Sequence, residues 1–287
     1  MQNQTKKRRV FHLPSLGYPR FVDFGHYHYR KVEPILESHQ HRDVLEICFC
    51  IRGQQYYELG ESLLKLKGND ILIIPPNQAH SSGVYPEDIG ELYWLQIHMD
   101  HSKGSLFHLP KEQSDYLIAA LGKNAGHIFK GALGQKNLLQ KLVSQLEVEQ
   151  STLVQLTTNQ ILVQLLLETL ALSKATPTIV PSERCKVIDD FIATNLHRII
   201  YVDELAELVN FSTAYFKSWF KQHFGAPPKA YINRLKIERA KLELLKTNSI
   251  TDVAYNLGFS TSQYFATTFK KYTGISPKGF RAQIEKA

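Results

Sequence analysis

The chain has 287 residues, of which 43% are hydrophobic and 21% are charged. This composition excludes a disordered or collagen-like chain, and at about 150 residues per domain the length predicts two domains. The three cysteines, Cys48, Cys50 and Cys185, are too few for a disulfide framework and indicate a reducing compartment. No apolar run reaches about 18 residues, so a cytoplasmic protein without a membrane partner is expected.

Positive charge is concentrated in the last third of the chain. Residues 183–287 contain 16 Lys and Arg against 10 Asp and Glu, which is +6 of the formal net charge of +7. Ten of the twelve histidines lie before residue 183. A basic carboxyl-terminal part attracts a polyanion, so the two halves are expected to have different functions.

The first predicted elements are an amino-terminal tail and a β-rich domain. Residues 1–19 are predicted to form the tail, in which Lys6 to Arg9 make a solvated basic segment. Short β-rich runs between Val44 and Ile97 are separated by Gly, Pro and Asn positions. Many short strands at close spacing predict a small barrel over residues 20–110. Within it, Cys48 and Cys50 fall on one side of a strand and are expected to pack in the core.

Helical spacing follows the barrel. Apolar residues recur at this spacing around 112–123, 135–150 and 152–172, so residues 111–172 are predicted to be helical. Their leucines are consistent with helices that pack on the barrel and equally with a contact between two copies of the chain, which would make a homodimer. Residues 173–183 are polar, contain two prolines and break the periodicity, which predicts the linker between the domains.

The last part of the chain, residues 184–287, contains one small helical unit twice. Leu205-Ala206 corresponds to Val253-Ala254 at an offset of 48. The residues that recur unchanged, at an offset of 48 that becomes 49 after the serine, are Phe-Ser, Tyr-Phe, Phe-Lys, Gly and Pro-Lys, which begin at 211, 215, 220, 225 and 228 in the first copy. Each copy predicts a short helix (203–209; 251–257), a tight turn at Asn210 or Gly258, and a longer helix opened by a serine cap (212–223; 260–272). This is the plan of a helix-turn-helix.

The second helix of each unit is the candidate DNA reader. With the buried aromatic positions set aside, the residues predicted to contact DNA are Thr213, Ala214, Lys217, Ser218 and Lys221 in the first helix and Ser262, Gln263, Thr267 and Lys270 in the second. Small polar side chains reach base edges, and lysines hold phosphates. A helix from Pro227-Pro228 to about Lys246 would separate the readers by about 28 Å, close to one turn of the major groove. The alternative is a helical bundle with an ordinary polar surface.

Residues 184–287 resemble the DNA-binding domain of the AraC/XylS family of bacterial transcription regulators. The residues that carry the resemblance include Leu205-Ala206, Ser212, Phe216, Phe220-Lys221, Gly225, Pro228, Tyr231, Ala240, Gly258-Phe259, Tyr264-Phe265, Gly274, Ser276-Pro277 and Phe280-Arg281. The resemblance implies base contacts by Ala214, Lys217 and Ser218 in the first reader and by Ser262, Gln263 and Thr267 in the second. Arginine often stands at one of these positions in each helix of the family, and this chain has none.

A second constellation lies in the amino-terminal half. His39 and His41 are followed by Glu46, and His80 comes further along, which together form a ligand set for iron, manganese, nickel or zinc. Their spacing resembles the two cupin motifs, and the family's ligand-sensing domain is a cupin barrel. Trp94 falls on a late strand, where the resemblance implies that its ring stacks on a sugar. The alternatives are a metal site at His39, His41, Glu46 and His80, and a tryptophan that only packs in the core.

The sequence therefore predicts a two-domain protein, a β-barrel followed by an all-α domain, that regulates transcription without being an enzyme. A small molecule, a carbohydrate by the family resemblance, is expected to bind His39, His41, Glu46, His80 and Trp94, with no cofactor. Promoter DNA, RNA polymerase and a second copy of the chain are the other expected partners. The alternative is a metal-dependent cupin enzyme joined to a DNA-binding module.

Overall fold

The structure, a computed structural model, describes residues 8–174, 183–246 and 249–284. The chain divides into two compact units: Met1–Tyr29 with Ile35–Pro177, and Arg30–Pro34 with Thr178–Ala287. The change from the first unit to the second falls inside the predicted linker 173–183, of which residues 175–182 lie outside the described residues. The predicted fold class is confirmed, because the first unit is rich in antiparallel strands and the described part of the second is largely helical.

Ten strands are described in the amino-terminal half. They are β1 Arg8–His12, β2 Phe21–Tyr29, β3 Glu33–Ile35, β4 Val44–Leu59, β5 Ser62–Lys67, β6 Asp70–Ile74, β7 His80–Ser81, β8 Pro86–Glu87, β9 Gly90–His98 and β10 Ile128–Lys130. The main sheet has the order β1-β2-β9-β4-β6-β10, with β5 and β7 also paired to β4, while β3 pairs with β8. The long strand β4 therefore joins two groups of strands, which is how a small sheet curves into a barrel.

The barrel begins earlier in the chain than predicted. Residues Arg8–His12 form β1, which pairs antiparallel with β2 in the register Arg8 to Tyr27 and His12 to Asp23. The tail predicted for residues 1–19 is therefore wrong from Arg8 onward, and Lys6 and Lys7 lie outside the described residues. The physical reason is that Phe11 stacks on Phe24 of β2, with ring centres 6.2 Å apart.

Both faces of β4 are buried, and alternate residues enter different cores. Cys48 and Cys50 belong to the core inside the barrel, together with Tyr27, Tyr57 and Trp94. Ile47 and Phe49 point the other way, into the core between the sheet and the helices. Because side chains alternate along a strand, Glu46 shares the interior face with Cys48 and Cys50. The two cysteines pack in the core, as their position in the sequence predicts.

Three helices follow the barrel strands: α1 Lys111–Gly122, α2 Leu133–Leu146 and α3 Thr152–Lys174. The segment 111–172 is helical as predicted, except that β10 interrupts it and pairs with β6, where Lys130 forms an ion pair with Asp70. Among the described residues, no helix is both long enough and apolar enough to cross a membrane.

The described helices of the second unit are α4 Glu183–Thr194, α5 Val202–Leu208, α6 Thr213–Phe224, α7 Pro228–Glu243, α8 Ile250–Asn256, α9 Ser262–Thr273 and α10 Pro277–Ile284. Two hydrophobic cores form, one around Phe216 and Phe220 and the other around Phe265 and Phe269. Helix α7 contributes to both cores, with Ile232 in the first. It ends three residues before the predicted Lys246 and is about 24 Å long.

The turns and caps of the two helix-turn-helix units agree with the predicted repeat, with one correction. Asn210 and Gly258 have the predicted left-handed conformation, with φ of 57° and 60°. The Ser212 side chain caps α6 by accepting from Tyr215 N. In the second helix-turn-helix unit the cap is Thr261 rather than the predicted Ser260, and its side chain accepts from Tyr264 N. The reason is the one-residue insertion, since an offset of 49 from Ser212 arrives at Thr261.

Candidate effector pocket and nucleic-acid interface

The barrel brings the predicted pocket residues together from separate segments. His39 and His80 face each other across an antiparallel bridge: His39 N donates to His80 O at 3.0 Å, and His80 N donates to His39 O at 2.9 Å. Glu46 stands near the start of β4 and is buried. The strand pairing therefore places three imidazoles and one carboxylate in a single cluster.

The three imidazoles lie close together, and backbone carbonyls fix the orientation of two of them. One ring nitrogen each from His39, His41 and His80 lies within 4.8 Å of the others. His39 Nδ1 lies 2.8 Å from Glu37 O, and His80 Nδ1 lies 3.1 Å from Gln78 O. A carbonyl oxygen only accepts, so in the neutral form of both rings Nδ1 carries the proton and Nε2 keeps its lone pair. In the described part of the chain, His80 Nε2 is buried without a hydrogen-bond partner.

Glu46 is the only carboxylate in contact with these described imidazoles. Its Oε2 lies 3.1 Å from His41 Nε2 and accepts from Gln96 Nε2 at 2.9 Å. Burial alone would raise the pKa of Glu46, but the hydrogen bond from His41, the nearby His80 and Gln96 together lower it. Burial lowers the pKa of His80, which keeps that ring neutral. The cluster thus presents one negative charge and free lone pairs to a hydrogen-bond donor or a cation.

Trp94 lines the same cavity, whose volume is about 160 Å³ and whose walls include His39, His41, Glu46 and Gln96. Its ring lies against the backbone of Gly25, the residue opposite it on β2: a Cβ atom at Gly25 would be only 1.9 Å from the ring. The guanidinium carbon of Arg8 is 4.7 Å from the ring centre. The sequence resemblance implies a ring face that is open to a sugar, whereas the structure places a cation on the ring, because β1 runs beside β2.

Arg8 belongs to a polar network that the sequence did not reveal. Its Nη1 donates to Glu87 Oε2 at 3.3 Å, and Tyr29 OH donates to the same oxygen at 3.3 Å. Burial would lower the pKa of Arg8, but the Glu87 carboxylate together with Tyr29 and Tyr27 outweighs it and raises this pKa. Burial, and then Glu87, raise the pKa of Tyr29 to about 12. Arg8 and Glu87 both line the cavity, so a charged pair forms the wall next to Trp94.

The donor set fits a divalent metal ion. Histidine ligands of a metal commonly donate their second ring N–H to a backbone carbonyl, which is the arrangement of His39 and His80. The buried and unpartnered Nε2 of His80 lies 3.9 Å from Glu46 Oε2, so an ion between them would meet both groups. His39, His41, His80 and Glu46 would hold such an ion.

The predicted DNA-facing residues of α6 lie on one face of the helix. Ala214, Lys217, Ser218 and Lys221 are exposed and follow the spacing i, i+3, i+4, i+7. On the opposite side, Phe216, Trp219 and Phe220 are buried in the first core. Thr213 is half-buried, and its hydroxyl donates to Asp203 Oδ1 of α5 at 2.7 Å. Thr213 therefore holds the two helices of the unit together, and four of the five candidate residues remain exposed.

Helix α9 repeats this arrangement. Gln263, Thr267 and Lys270 are exposed and occupy the same helical positions as Ala214, Ser218 and Lys221 of α6, at the offset of 49. Ser262 is half-buried and donates to Gln263 Oε1 at 3.3 Å. Two helices of the same length, each with an apolar inner face and a polar outer face, therefore present matched surfaces.

Two protein-family models match this chain. An AraC-like ligand-binding domain covers residues 26–166, and a helix-turn-helix domain covers residues 205–283. The chain thus has an AraC-like ligand-binding domain followed by a helix-turn-helix domain, in the order that the sequence resemblance predicts.

The curated relatives are named as transcriptional regulators of the helix-turn-helix type. An uncharacterized HTH-type transcriptional regulator of Staphylococcus aureus strain MSSA476 is 27% identical over 247 residues, which cover 83% of this chain and 31% of that protein. The uncharacterized HTH-type transcriptional regulator YobQ of Bacillus subtilis is 36% identical over 92 residues, or 32% of this chain and 38% of that protein. The chain therefore spans only about a third of the length of these curated relatives.

Among solved structures, the carboxyl-terminal domain of the response regulator yesN from Fusobacterium nucleatum is 34% identical. The match covers 33% of this chain and 95% of that chain, with a TM-score of 0.33.

Proposed function

We propose that the protein is a transcription regulator that binds promoter DNA through α6 and α9 and senses a small molecule in the barrel. The observation that carries the proposal is the matched polar face of the two helices, each backed by its own hydrophobic core. The excess positive charge of residues 183–287 favours DNA as the partner. The phosphates would be held by Lys221 and Lys270. The residues that would contact bases are Ala214, Lys217, Ser218, Ser262, Gln263 and Thr267.

Selection of duplexes from a random DNA library by the full-length chain tests DNA binding. Lys217→Ala and Gln263→Ala should each weaken binding to the selected duplex by about 1–3 kcal/mol and relax the preference at a few base pairs. Lys270→Ala should weaken binding to all duplexes equally. Lys186→Ala, an exposed lysine on α4, is the matched control. Equal losses on selected and random DNA for Lys217→Ala and Gln263→Ala would contradict the proposed base-reading face.

The proposed effector is a carbohydrate. The cavity offers the carboxylate of Glu46 and the lone pair of His39, which accept hydrogen bonds from hydroxyl groups, beside the aromatic ring of Trp94. Arg8 already lies on that ring, so a sugar ring that stacks on Trp94 has to displace the guanidinium group or share the ring with it. Binding would then change the position of β1.

Direct binding of a panel of sugars to the full-length chain tests this effector class. Trp94→Ala and His41→Ala should each abolish binding of the sugar that the wild type retains, while the affinity for the selected DNA duplex in the absence of sugar stays unchanged. Tyr116→Ala, which removes an exposed aromatic residue of α1, is the control. If both pocket variants bind the sugar as the wild type does, the effector site is elsewhere.

A divalent metal ion in the same cluster is the second candidate, and it would also support the metal-dependent enzyme alternative. The buried lone pair of His80 Nε2 favours it. Metal analysis of protein purified without chelator, followed by Co²⁺ titration, tests it: near-stoichiometric metal that is lost in His80→Gln would establish the site. Metal affinity should fall as pH falls below the ordinary histidine pKa, because protonated Nε2 cannot bind an ion. Protein that takes up no metal would exclude it.

The proposed homodimer uses the outer face of α3. Leu153, Leu156 and Leu167 are exposed on this helix, with Leu153 74% exposed, while its inner leucines pack on the barrel. Sedimentation equilibrium tests the dimer, which Leu156→Glu should dissociate and Tyr116→Glu should not. RNA polymerase is the remaining proposed partner, and in vitro transcription from a promoter that contains the selected duplex would reveal a change in transcript level when the protein is added.

A further inference from the structure

Helix α7 carries a buried lysine between the two helix-turn-helix units. The side chain of Lys236 is only 4% exposed. Its neighbours on α7 divide between the cores, since Ile232 belongs to the core of the first unit and Ile237 to the core of the second. Burial of a lysine is costly unless its ammonium group finds acceptors, so this position requires an explanation.

The ammonium group of Lys236 bridges the two units through backbone carbonyls. Its Nζ donates to Arg198 O at 2.7 Å and to Gly258 O at 3.1 Å. Arg198 stands in the segment between α4 and α5, and Gly258 stands in the turn between α8 and α9. Nζ also lies 5.4 Å from the ring centre of Phe259. One side chain therefore holds the loop before the first unit and the turn of the second unit.

The two held segments are in direct contact. A Cβ atom at Gly258 would lie 2.2 Å from the carbonyl carbon of Arg198, so only glycine allows this approach. Arg198 is itself anchored to the first unit, because its Nη1 and Nη2 donate to the Glu204 carboxylate at 3.0 and 2.9 Å. Glu204 in turn accepts from Tyr201 N at the start of α5. The contact thus joins α5 of one unit to the turn that aims α9 of the other.

The ammonium group has a function here that an apolar side chain cannot replace. Two carbonyl oxygens converge on Nζ, and each would lose a charge-assisted hydrogen bond if the group were removed. Burial, and then the charge of Arg198, lower the pKa of Lys236 to about 8, which reflects how little solvent reaches the group. Without Lys236, the described residues would still connect the units through the contacts of α7, which include Asn233 Nδ2 donating to Tyr264 OH at 3.0 Å, and through the Gly258 contact.

We propose that Lys236 is a positioning residue that fixes the separation and orientation of α6 and α9, so that both helices contact one DNA duplex together. The inference rests on the proposed DNA-binding function. Two readers on a rigid frame bind cooperatively, because the first contact raises the effective concentration of the second reader at its own site. A loosened frame loses this advantage while each reader keeps its own contacts.

The first test measures the frame without DNA. Spin labels at Gln222 of α6 and Lys271 of α9, both exposed, report the distance between the helices in the full-length chain with Cys185→Ser. The distance distribution should be narrow in the parent protein and in Lys236→Arg, and broad in Lys236→Met. Lys241→Met is the control, because this lysine lies on the same helix but pairs with Glu238 at the surface. An unchanged distribution in Lys236→Met would overturn the proposal.

The second test uses a duplex that the wild-type chain selects from random DNA, and the same duplex with one half scrambled. Lys236→Met should lose on the order of tenfold in affinity for the intact duplex and change little on the scrambled one. Lys236→Arg should bind as the wild type does. An equal loss on both duplexes would mean that one unit is damaged, and would refute the positioning role. If Lys236→Met fails to fold, Lys236→Gln supplies the same comparison.

The two tests separate this inference from the proposed function. If the wild-type chain selects no DNA, DNA binding is refuted, while the label distances still decide whether Lys236 holds the two units together.

Discussion

Gly25→Ala offers a sharp test of the pocket wall, because it adds a single methyl group opposite Trp94. Gly25 and Trp94 are partners in the pairing of β2 with β9. The added Cβ would lie 1.9 Å from Trp94 Cζ2 and 2.0 Å from Cε2. Carbon atoms in contact are about 3.5–4.0 Å apart, so the indole ring has to move by roughly 1.5–2 Å. The ring would move away from the backbone of Gly25.

The cost of this displacement follows from overpacking in a close-packed core. Forcing an extra methyl group into such a site costs about 1–3 kcal/mol of unfolding free energy. The ring also has to leave its position under the Arg8 guanidinium group, and it takes up part of a cavity of only about 160 Å³. We therefore expect Gly25→Ala to destabilise the barrel by about 1–3 kcal/mol and to abolish effector binding.

Urea unfolding followed by the fluorescence of Trp94 measures both effects. The chain has two tryptophans, so Trp219→Phe in the carboxyl-terminal compact unit leaves Trp94 as the sole source of tryptophan fluorescence. The matched control is Gly134→Ala on α2, where the added methyl group would meet no atom within 4 Å. That change should be neutral or stabilise by up to about 1 kcal/mol. Equal urea midpoints for the two variants, with unchanged Trp94 emission, would refute this account of the wall.

Two further predictions concern acid stability and helix caps. Burial would raise the pKa of Glu91, but His26, whose Nε2 lies 3.6 Å from Glu91 Oε1, lowers it together with Lys136 and Tyr93, from 4.5 to about 2. The carboxylate therefore stabilises the barrel above pH 4.5, and this stability is lost as the pH falls toward 2. The urea midpoint of Glu91→Gln should therefore depend less on pH in this range than that of the wild type. Ser212→Ala and Thr261→Ala should each destabilise the carboxyl-terminal compact unit by about 1 kcal/mol in thermal unfolding, whereas Ser260→Ala should have little effect. A larger loss for Ser260→Ala than for Thr261→Ala would contradict the assigned cap.

The helix-turn-helix units were predictable because their signals are local. Helical periodicity, a cap before the helix and a left-handed residue in the turn all lie within about twenty residues of one another. Asn210 and Gly258 fulfil the predicted turns, and α7 follows the predicted prolines. The cap at Ser260 was wrong because both Ser260 and Thr261 are residues that cap helices, and only the inserted residue decides between them.

The barrel was harder to predict at its edges. The pairing of β1 with β2, and of β10 with β6, joins segments whose own composition is weak: β1 begins within a run of basic residues, and β10 has only three residues. The stability of such strands comes from the partner strand rather than from intrinsic propensity. A pattern read along the chain therefore detects the long strands and misses the short ones that close the sheet.

Some residues of the pocket could be predicted from their spacing in the sequence, and others are identified only by the fold. His39, His41, Glu46 and His80 were visible from their residue types, and the structure brings them together. Gln96 was not singled out, although it follows Trp94 by two residues on β9 and so shares its face; its partner Glu46 lies directly opposite in the strand register. The alternation along residues 91–98 was the signal that could have identified it.

Arg8 changes what the pocket can select. Glu46, Glu87 and Asp23 line the cavity with Arg8, and Arg8 is already paired with Glu87. The carboxylates repel an anionic effector, and the positive charge of Arg8 is neutralised by its partner. A neutral molecule that donates several hydrogen bonds, or a metal cation, is compatible with both the charges and the acceptors. Arg8→Met keeps the apolar stem of the side chain and removes its charge, so Glu87 should lose this ion pair and the attachment of β1 to β2 should weaken. A lower urea midpoint of the barrel would confirm this.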